Sequence, residues 1–190
     1  SISAHKFHGL KGIGVLYLRS RRTVHNITFG GGHEDGLRSG TVNVAAAVSL
    51  AKSLRLSQEK VEEIKVNHKE YKKLIVDEFS QYKHIVINSP LSENFVDSIV
   101  NISLPKIKGE VIVNALNDRG IMVSTTSACS SKTFHLNEAL YARGLSKENI
   151  EGSIRVSFSY ETTRKEVETF IEVLIDEYNK KFKEVIESGI

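Results

Sequence analysis

From residue 84 onward the chain alternates between the two periods at which side chains can be buried, and this alternation limits the possible folds more than any other feature. "HIVIN" and "DSIVNISL" read as strands, "GEVIVNALNDRG" as a helix ending at Gly120, and "IMVS" as another strand. A loop carrying Cys129 comes next, followed by a short helix around residues 135–143, the strand "SIRVSFS" and a final helix. Thr163 and Glu166 stand in capping-box spacing at the start of that helix, and Val167, Phe170, Ile171, Leu174, Tyr178 and Phe182 fall on one face. Strands and helices interleaved in this way predict an α+β unit with helices packed on a mixed or antiparallel sheet.

Upstream, "IGVLYLR" at residues 13–19 predicts a short buried strand after a glycine-rich turn, and "FGGGHEDGLRSGT" a loop. From Thr41 the spacing becomes helical. Val44, Val48 and Ala51 recur at three- and four-residue intervals, and after a break near Ser57 so do Val61, Ile64, Tyr71, Leu74, Ile75 and Phe79. A long or broken helix of this kind links two structural units. The boundary is expected near residues 52–60, which gives domains of 1–52 and 53–190.

Basic and acidic residues nearly balance, 26 against 23, so a formal charge of +3 points to neither nucleic acid nor an anionic membrane as partner. Apolar runs are broken by charge well before they could span a bilayer, and no signal segment opens the chain, so cytoplasmic location is the expectation. The single cysteine excludes an internal disulfide, and without paired Cys/His spacing no metal site is expected. Met122 is the only methionine, and Ser1 leads straight into a motif. The sequence is therefore expected to be a fragment.

Four places can carry chemistry. Lys6, in "SISAHKFHGLKGIG", is either a solvated cation or an amine made nucleophilic by its surroundings, as carbonyl cofactors require. "GLRSGTVNV" has the form of a phosphate-binding loop before a helix, with donors on Arg38, Ser39 and Thr41; a helix capped by Thr41 reads equally well. Cys129 lies among small hydroxyl residues in "STTSACSSK", which leaves a quiet core thiol and a reactive one both open. Arg155 alternates with Ile154 and Val156, so it faces away from the buried set, suited to a surface salt bridge or to a bidentate grip on a carboxylate. Of the histidines, His8, His25, His68 and His84 show no partner pattern, while His33 and His135 stay open.

Together, "SAHKFHGLKGIGVLYLR", "GGGHEDGLRSGT", "SACSS" and "SIRVSFSYETT" resemble, in order, the pyridoxal-phosphate-dependent cysteine desulfurases of the nitrogen-fixation and iron-sulfur-assembly type. The resemblance implies an α/β protein, the C-terminal part of a fold-type I transferase of aminotransferase class V: the end of the large domain and the whole small α+β domain. It implies that Lys6 bonds the cofactor and moves protons at the substrate's α-carbon. By the same resemblance Ser3 and His5 contact the cofactor phosphate, and Thr41 reaches the phosphate of the other subunit of a homodimer. Arg155 would hold the substrate carboxylate, and Cys129 would be the nucleophile that takes sulfur from L-cysteine as a persulfide. An iron-sulfur scaffold or other sulfur-acceptor protein is the implied partner.

Some positions depart from the family. Leu10 stands where proline is usual, Thr126 where glycine is usual and Asp35 where arginine is frequent, and "FSYETT" replaces a glycine-containing form. The β-branched Thr126 is expected to alter the cysteine loop more than the reaction type. The family's ring-stacking histidine, its pyridine-pairing aspartate and its first phosphate loop have no counterpart in these residues, so the chain alone is expected to be inactive. Two rival readings are a related lyase or aminotransferase, such as a selenocysteine lyase, and a non-catalytic dimerisation or partner-binding module.

Overall fold

The structure is a computed structural model that describes residues 1–20, 24–125 and 137–188. Cys129, Thr126 and His135 lie outside the described residues. Two compact units make up the chain, Ser1–Glu62 and Glu63–Ile190.

In the second unit, β4 (Ile99–Ser103) and β6 (Ser153–Ser157) run antiparallel in register, with Val100 opposite Val156 and Ile102 opposite Ile154. These four apolar side chains share one face of the ladder and are all buried. β3 (Val86–Ile87) flanks β4 and β5 (Ser124–Thr125) flanks β6, giving the order β3-β4-β6-β5 with every pairing antiparallel. The sheet is therefore antiparallel, not mixed.

Helices cover the apolar face. Tyr71, Ile75 and Phe79 of α2 (Val61–Phe79), Ile112 and Leu116 of α3 (Gly109–Asn117), and Val167, Phe170 and Leu174 of α6 (Arg164–Glu177) join the sheet in one core. Burying each such side chain stabilises the unit by about 1.5–3 kcal/mol relative to leaving it in water. The last helix does not stop at α6. It continues through a π-helical turn, Tyr178–Phe182, into α7 (Lys183–Ser188), which keeps Tyr178, Phe182 and Ile186 in the core. At that turn the buried carboxylate of Glu177 lies 3.2 Å from Arg119 Nη1 and 2.6 Å from Lys181 Nζ.

The other face of β4 is buried and polar. Asn88 Nδ2 donates to Asn101 Oδ1 and to Ser103 Oγ, both at 2.6 Å; Asn101 Nδ2 donates to the Ile154 carbonyl and Ser103 Oγ to that of Asn149. Each of these buried polar groups thus has a partner, as burial demands. Two short helices complete this side: α4 (Glu138–Ala142), capped by Asn137, and α5 (Lys147–Glu151), capped by Ser146. The spacing gives no sign of α5, although Ser146 is a favoured cap residue.

The first unit corrects two expectations. The strand expected over residues 13–19 is only β2 (Gly14–Val15), paired with β1 (Ile2–Ser3), and Tyr17 is 77% exposed. Among the described residues β1 is its only ladder partner, so there is nothing to extend it. α1 (Val44–Glu59) buries Ala46 and Leu50, while Val44 and Val48 of the expected apolar stripe are 66% and 63% exposed. In "VAAAVSLA" both sets have helical spacing, and the face turned inward is the one whose small alanine permits close approach. No described helix is long and apolar enough to cross a membrane.

The capping box of α6 yields a pH prediction. Glu166 accepts from the Thr163 backbone N–H at 2.7 Å, and this bond holds its carboxyl below the ordinary glutamate value. Its contribution to stability is complete above the unfolded-state value and is lost as pH falls through the depressed folded one. Glu166→Gln should flatten the acid limb of a stability–pH curve and leave the neutral plateau within about 1 kcal/mol, read by denaturant titration. Leu174→Ala, in the fully buried core, should cost about 2–5 kcal/mol in the same assay.

Candidate active site

Lys6 sits on a tight one-turn 3-10 helix, Ala4–Phe7, between β1 and β2. The Ala4 N–H donates to the Ile13 carbonyl at 3.1 Å and the Gly9 N–H to the Ala4 carbonyl at 2.9 Å, so the turn is closed by backbone bonds at its base. Ala4 is fully buried, whereas Ser3, His5 and Lys6 are exposed. Two glycines make this closure possible. A Cβ on Gly14 would lie 2.6 Å from the Ile2 carbonyl oxygen, and one on Gly9 would lie 2.8 Å from Ala4 Cβ. The result is a rigid base presenting a hydroxyl, an imidazole and an amine within four residues. α1 packs against this turn.

The glycine loop is held largely by its own groups. Ser39 Oγ donates to the Gly31 carbonyl at 2.8 Å, Asn26 Nδ2 donates to the Gly36 carbonyl, and Arg38 Nη1 donates to the Ser39 carbonyl. Ser39 is buried by these bonds, so its hydroxyl is spent on the loop. Thr41 is exposed and does not cap α1. That role falls to Asn43, whose Oδ1 accepts from the Ala46 N–H at 3.1 Å, which removes the capping alternative for Thr41. His33 is exposed in a second 3-10 turn, His33–Gly36, where Glu34 and Asp35 adopt φ of 53° and 55°.

In the second unit Arg155 is exposed at the centre of β6, paired in register with Asn101 of β4 and Ser124 of β5. Its neighbours Ile154 and Val156 point into the core, so the guanidinium is presented on the opposite face. The turn after β6 is clamped by α2. His68 Nε2 lies 3.1 Å from the Ser159 carbonyl, and Tyr71 Oη donates to the Thr162 carbonyl at 3.2 Å. His68, read from the sequence as solvated or packed, is in fact buried with a specific partner. Nothing local signals this, because the two partners are separated by 91 residues.

Lys72 is a second group that sequence reasoning missed. It is fully buried, with Nζ donating to the Val96 carbonyl at 3.1 Å and 3.7 Å from Asp97 Oδ1. Its Nζ lies 5.5 Å from the centre of the Phe95 ring, and the Arg143 guanidinium stacks on that ring at 4.4 Å. Among the described residues, no group of three or more His, Cys, Asp or Glu could hold a metal ion.

The lysine turn and glycine loop followed by an antiparallel α/β unit match part of the α/β fold of solved NifS-like proteins. The family model for aminotransferase class V matches residues 1–170, and the chain belongs to that family. A NifS/IcsS protein homolog from Lactobacillus delbrueckii subsp. bulgaricus is 37% identical over 193 residues, covering 100% of this chain and 49% of that protein. The cysteine desulfurase IscS of Ehrlichia chaffeensis is 33% identical, covering 95% of this chain and 44% of that protein. A solved NifS-like protein superposes with a TM-score of 0.81 at 31% identity, over 93% of this chain and 45% of that one. The chain spans about half the length of the curated relatives it matches.

Closure of the lysine turn can be tested without any ligand. Gly14→Ala should force β1 from β2 and raise hydrogen exchange at the Ala4 amide by at least about tenfold, while exchange in β4 and β6 stays unchanged, measured by NMR or mass spectrometry.

Proposed function

We propose that this chain is the C-terminal half of a pyridoxal-phosphate-dependent cysteine desulfurase, with residues 1–52 completing the large cofactor-binding domain and 53–190 forming the small one. The observation that carries this reading is the presentation of Lys6: an exposed amine on a backbone-closed turn, in a chain whose full length aligns with a NifS/IcsS homolog. The residues fit the cofactor's chemistry. Lys6 supplies an amine for its aldehyde carbon, and Ser3 and His5 supply donors for its phosphate. Thr41, free of any capping duty, would reach the phosphate held by a second subunit of a homodimer. When bound, the cofactor supplies an electron sink for negative charge at the substrate's α-carbon.

This chain's residues would divide the remaining work. Arg155 grips the carboxylate of L-cysteine through two parallel N–H bonds. Lys6 takes the proton from the α-carbon and later returns one to the carbon skeleton. Cys129, as thiolate, forms an S–S bond to the substrate sulfur while the Cβ–S bond breaks, the bonding pair staying with carbon. Protonation of that carbon gives L-alanine, and the sulfur stays on Cys129 as a persulfide. An acceptor protein, such as an iron-sulfur scaffold in the cytoplasm, would then receive it.

Cys129→Ser in the longest natural form of the protein should lower sulfide release from L-cysteine by at least about a thousandfold while leaving cofactor absorbance intact. Lys6→Ala should alter that absorbance itself. Sulfide release that survives Cys129→Ser would overturn the desulfurase reading. Keto-acid formation in place of sulfide would favour an aminotransferase.

A further inference from the structure

The segment following Arg155 is held in an unusual way. Among the described residues β5 pairs with β6 at Ser124–Arg155 and Thr125–Ile154, and beyond Arg155 the ladder neighbour is β4. That ladder ends with Ser157 opposite Ile99 and a final bond from the Phe158 N–H to the Ser98 carbonyl at 2.9 Å. The turn after it is stitched internally: the Thr162 N–H donates to the Ser159 carbonyl at 3.1 Å and the Ser159 N–H to Thr162 Oγ1 at 2.9 Å. Its attachment to the rest of the unit then comes from α2. His68 and Tyr71, 6% and 7% exposed and one turn apart on the same helix face, reach the Ser159 and Thr162 carbonyls. Phe158 packs between them, its ring centre 5.6 Å from that of His68 and 5.7 Å from that of Tyr71.

We propose that His68 and Tyr71 are positioning residues for Arg155: by clamping the turn that follows β6, they fix the direction in which the guanidinium is presented to a carboxylate. This rests on the reading of Arg155 as the substrate-carboxylate grip. A bidentate grip depends on angle as well as distance, and a displacement of about 1 Å can cost up to a hundredfold. The strand ladder sets the register of Arg155 and, among the described residues, braces one edge of residues 156–158. The clamp braces their far end. Because a carbonyl is its partner, the His68 ring nitrogen at this contact must be the protonated one, Nε2.

The clamp is first checked on this chain by nitrogen NMR of His68. The Nε2-protonated tautomer is expected, and an Nδ1-protonated ring with bare Nε2 would overturn the proposal. Its functional consequence is read in the longest natural form of the protein, loaded with pyridoxal phosphate, as KM for L-cysteine against kcat. His68→Leu should raise KM about tenfold with kcat held within about twofold. His68→Gln, whose side-chain amide can donate to the same carbonyl, should bring KM back to within about twofold of the parent value. In an Arg155→Ala background, His68→Leu should add less than about twofold, since the grip it positions is gone. If Arg155→Ala raises KM but His68→Leu does not, or if the two effects multiply, the positioning role is overturned while the carboxylate reading stands. If Arg155→Ala itself leaves KM unchanged, the carboxylate reading fails and the proposal falls with it. Should His68→Leu not fold, Tyr71→Phe, which deletes only a hydroxyl, is read by the same criteria.

Discussion

The second unit depends on the registered pairing of β4 with β6. Val100 opposite Val156 and Ile102 opposite Ile154 place four buried side chains on one face, and the helices that complete the core converge there. A slip of one residue would turn all four outward and bring Asn101, Ser103, Ser153 and Arg155 inward. The register is held from both faces, because the polar side is also committed. Asn101 bonds the Ile154 carbonyl across the ladder, and Ser103 bonds the Asn149 carbonyl beneath it. Leaving those groups buried and unpaired would cost more than the ladder bonds gain. Arg155 inherits its exposure from this arrangement: with both neighbours in the core, its side chain has only one direction open.

Much of the second unit was legible because its signals are local. Period-two runs became β4 and β6, and Thr163 with Glu166 formed the capping box that opens α6. Spacing cannot reveal which of two equivalent faces turns inward when the residues are small. In α1 the stripe through Val44 and Val48 and the pair Ala46 and Leu50 are equally periodic, and packing selected the second. Similarly, "IGVLYLR" has strand composition, but a strand is realised only as far as a partner extends, and β1 supplies two residues. For the candidate site, residue type and motif order pointed to Lys6, Thr41 and Arg155. The groups that hold such residues were hidden, because closure of the lysine turn and the clamp from α2 are non-local facts.

The two units support their exposed candidate side chains, Lys6 and Arg155, differently. Around Lys6 the backbone supplies the rigidity: glycines at positions 9 and 14 let main chain approach main chain so closely that no side chain could intervene. Around Arg155 the strand ladders to β4 and β5 supply backbone support, and two α2 side chains hold the turn beyond. The difference comes from the surroundings of each residue. The lysine turn has few buried side chains near it, Ala4, Ala46 and Leu50 among them, so backbone bonds must hold it. β6 lies over a full core and can draw on side chains from distant sequence.

Buried charge in the second unit fits the same logic of anchoring. Lys72 is wholly buried yet keeps a carbonyl, a carboxylate and an aromatic face within reach, and these belong to one short stretch, Phe95, Val96 and Asp97. Arg143, just past α4, stacks on Phe95 and donates to the Asn88 carbonyl at 2.7 Å. Burying a lysine is costly unless its partners are well placed, so this stretch has little freedom to move without exposing an unpaired cation. The cation thereby couples α2, the β3–β4 connection and the end of α4. α2 carries Lys72 next to Tyr71 and four residues after His68, so a single helix anchors both the β3–β4 connection and the turn after β6. A change in the seating of α2 would therefore be felt at both places at once. This helix contributes none of the residues proposed to meet cofactor or substrate, yet it holds both segments.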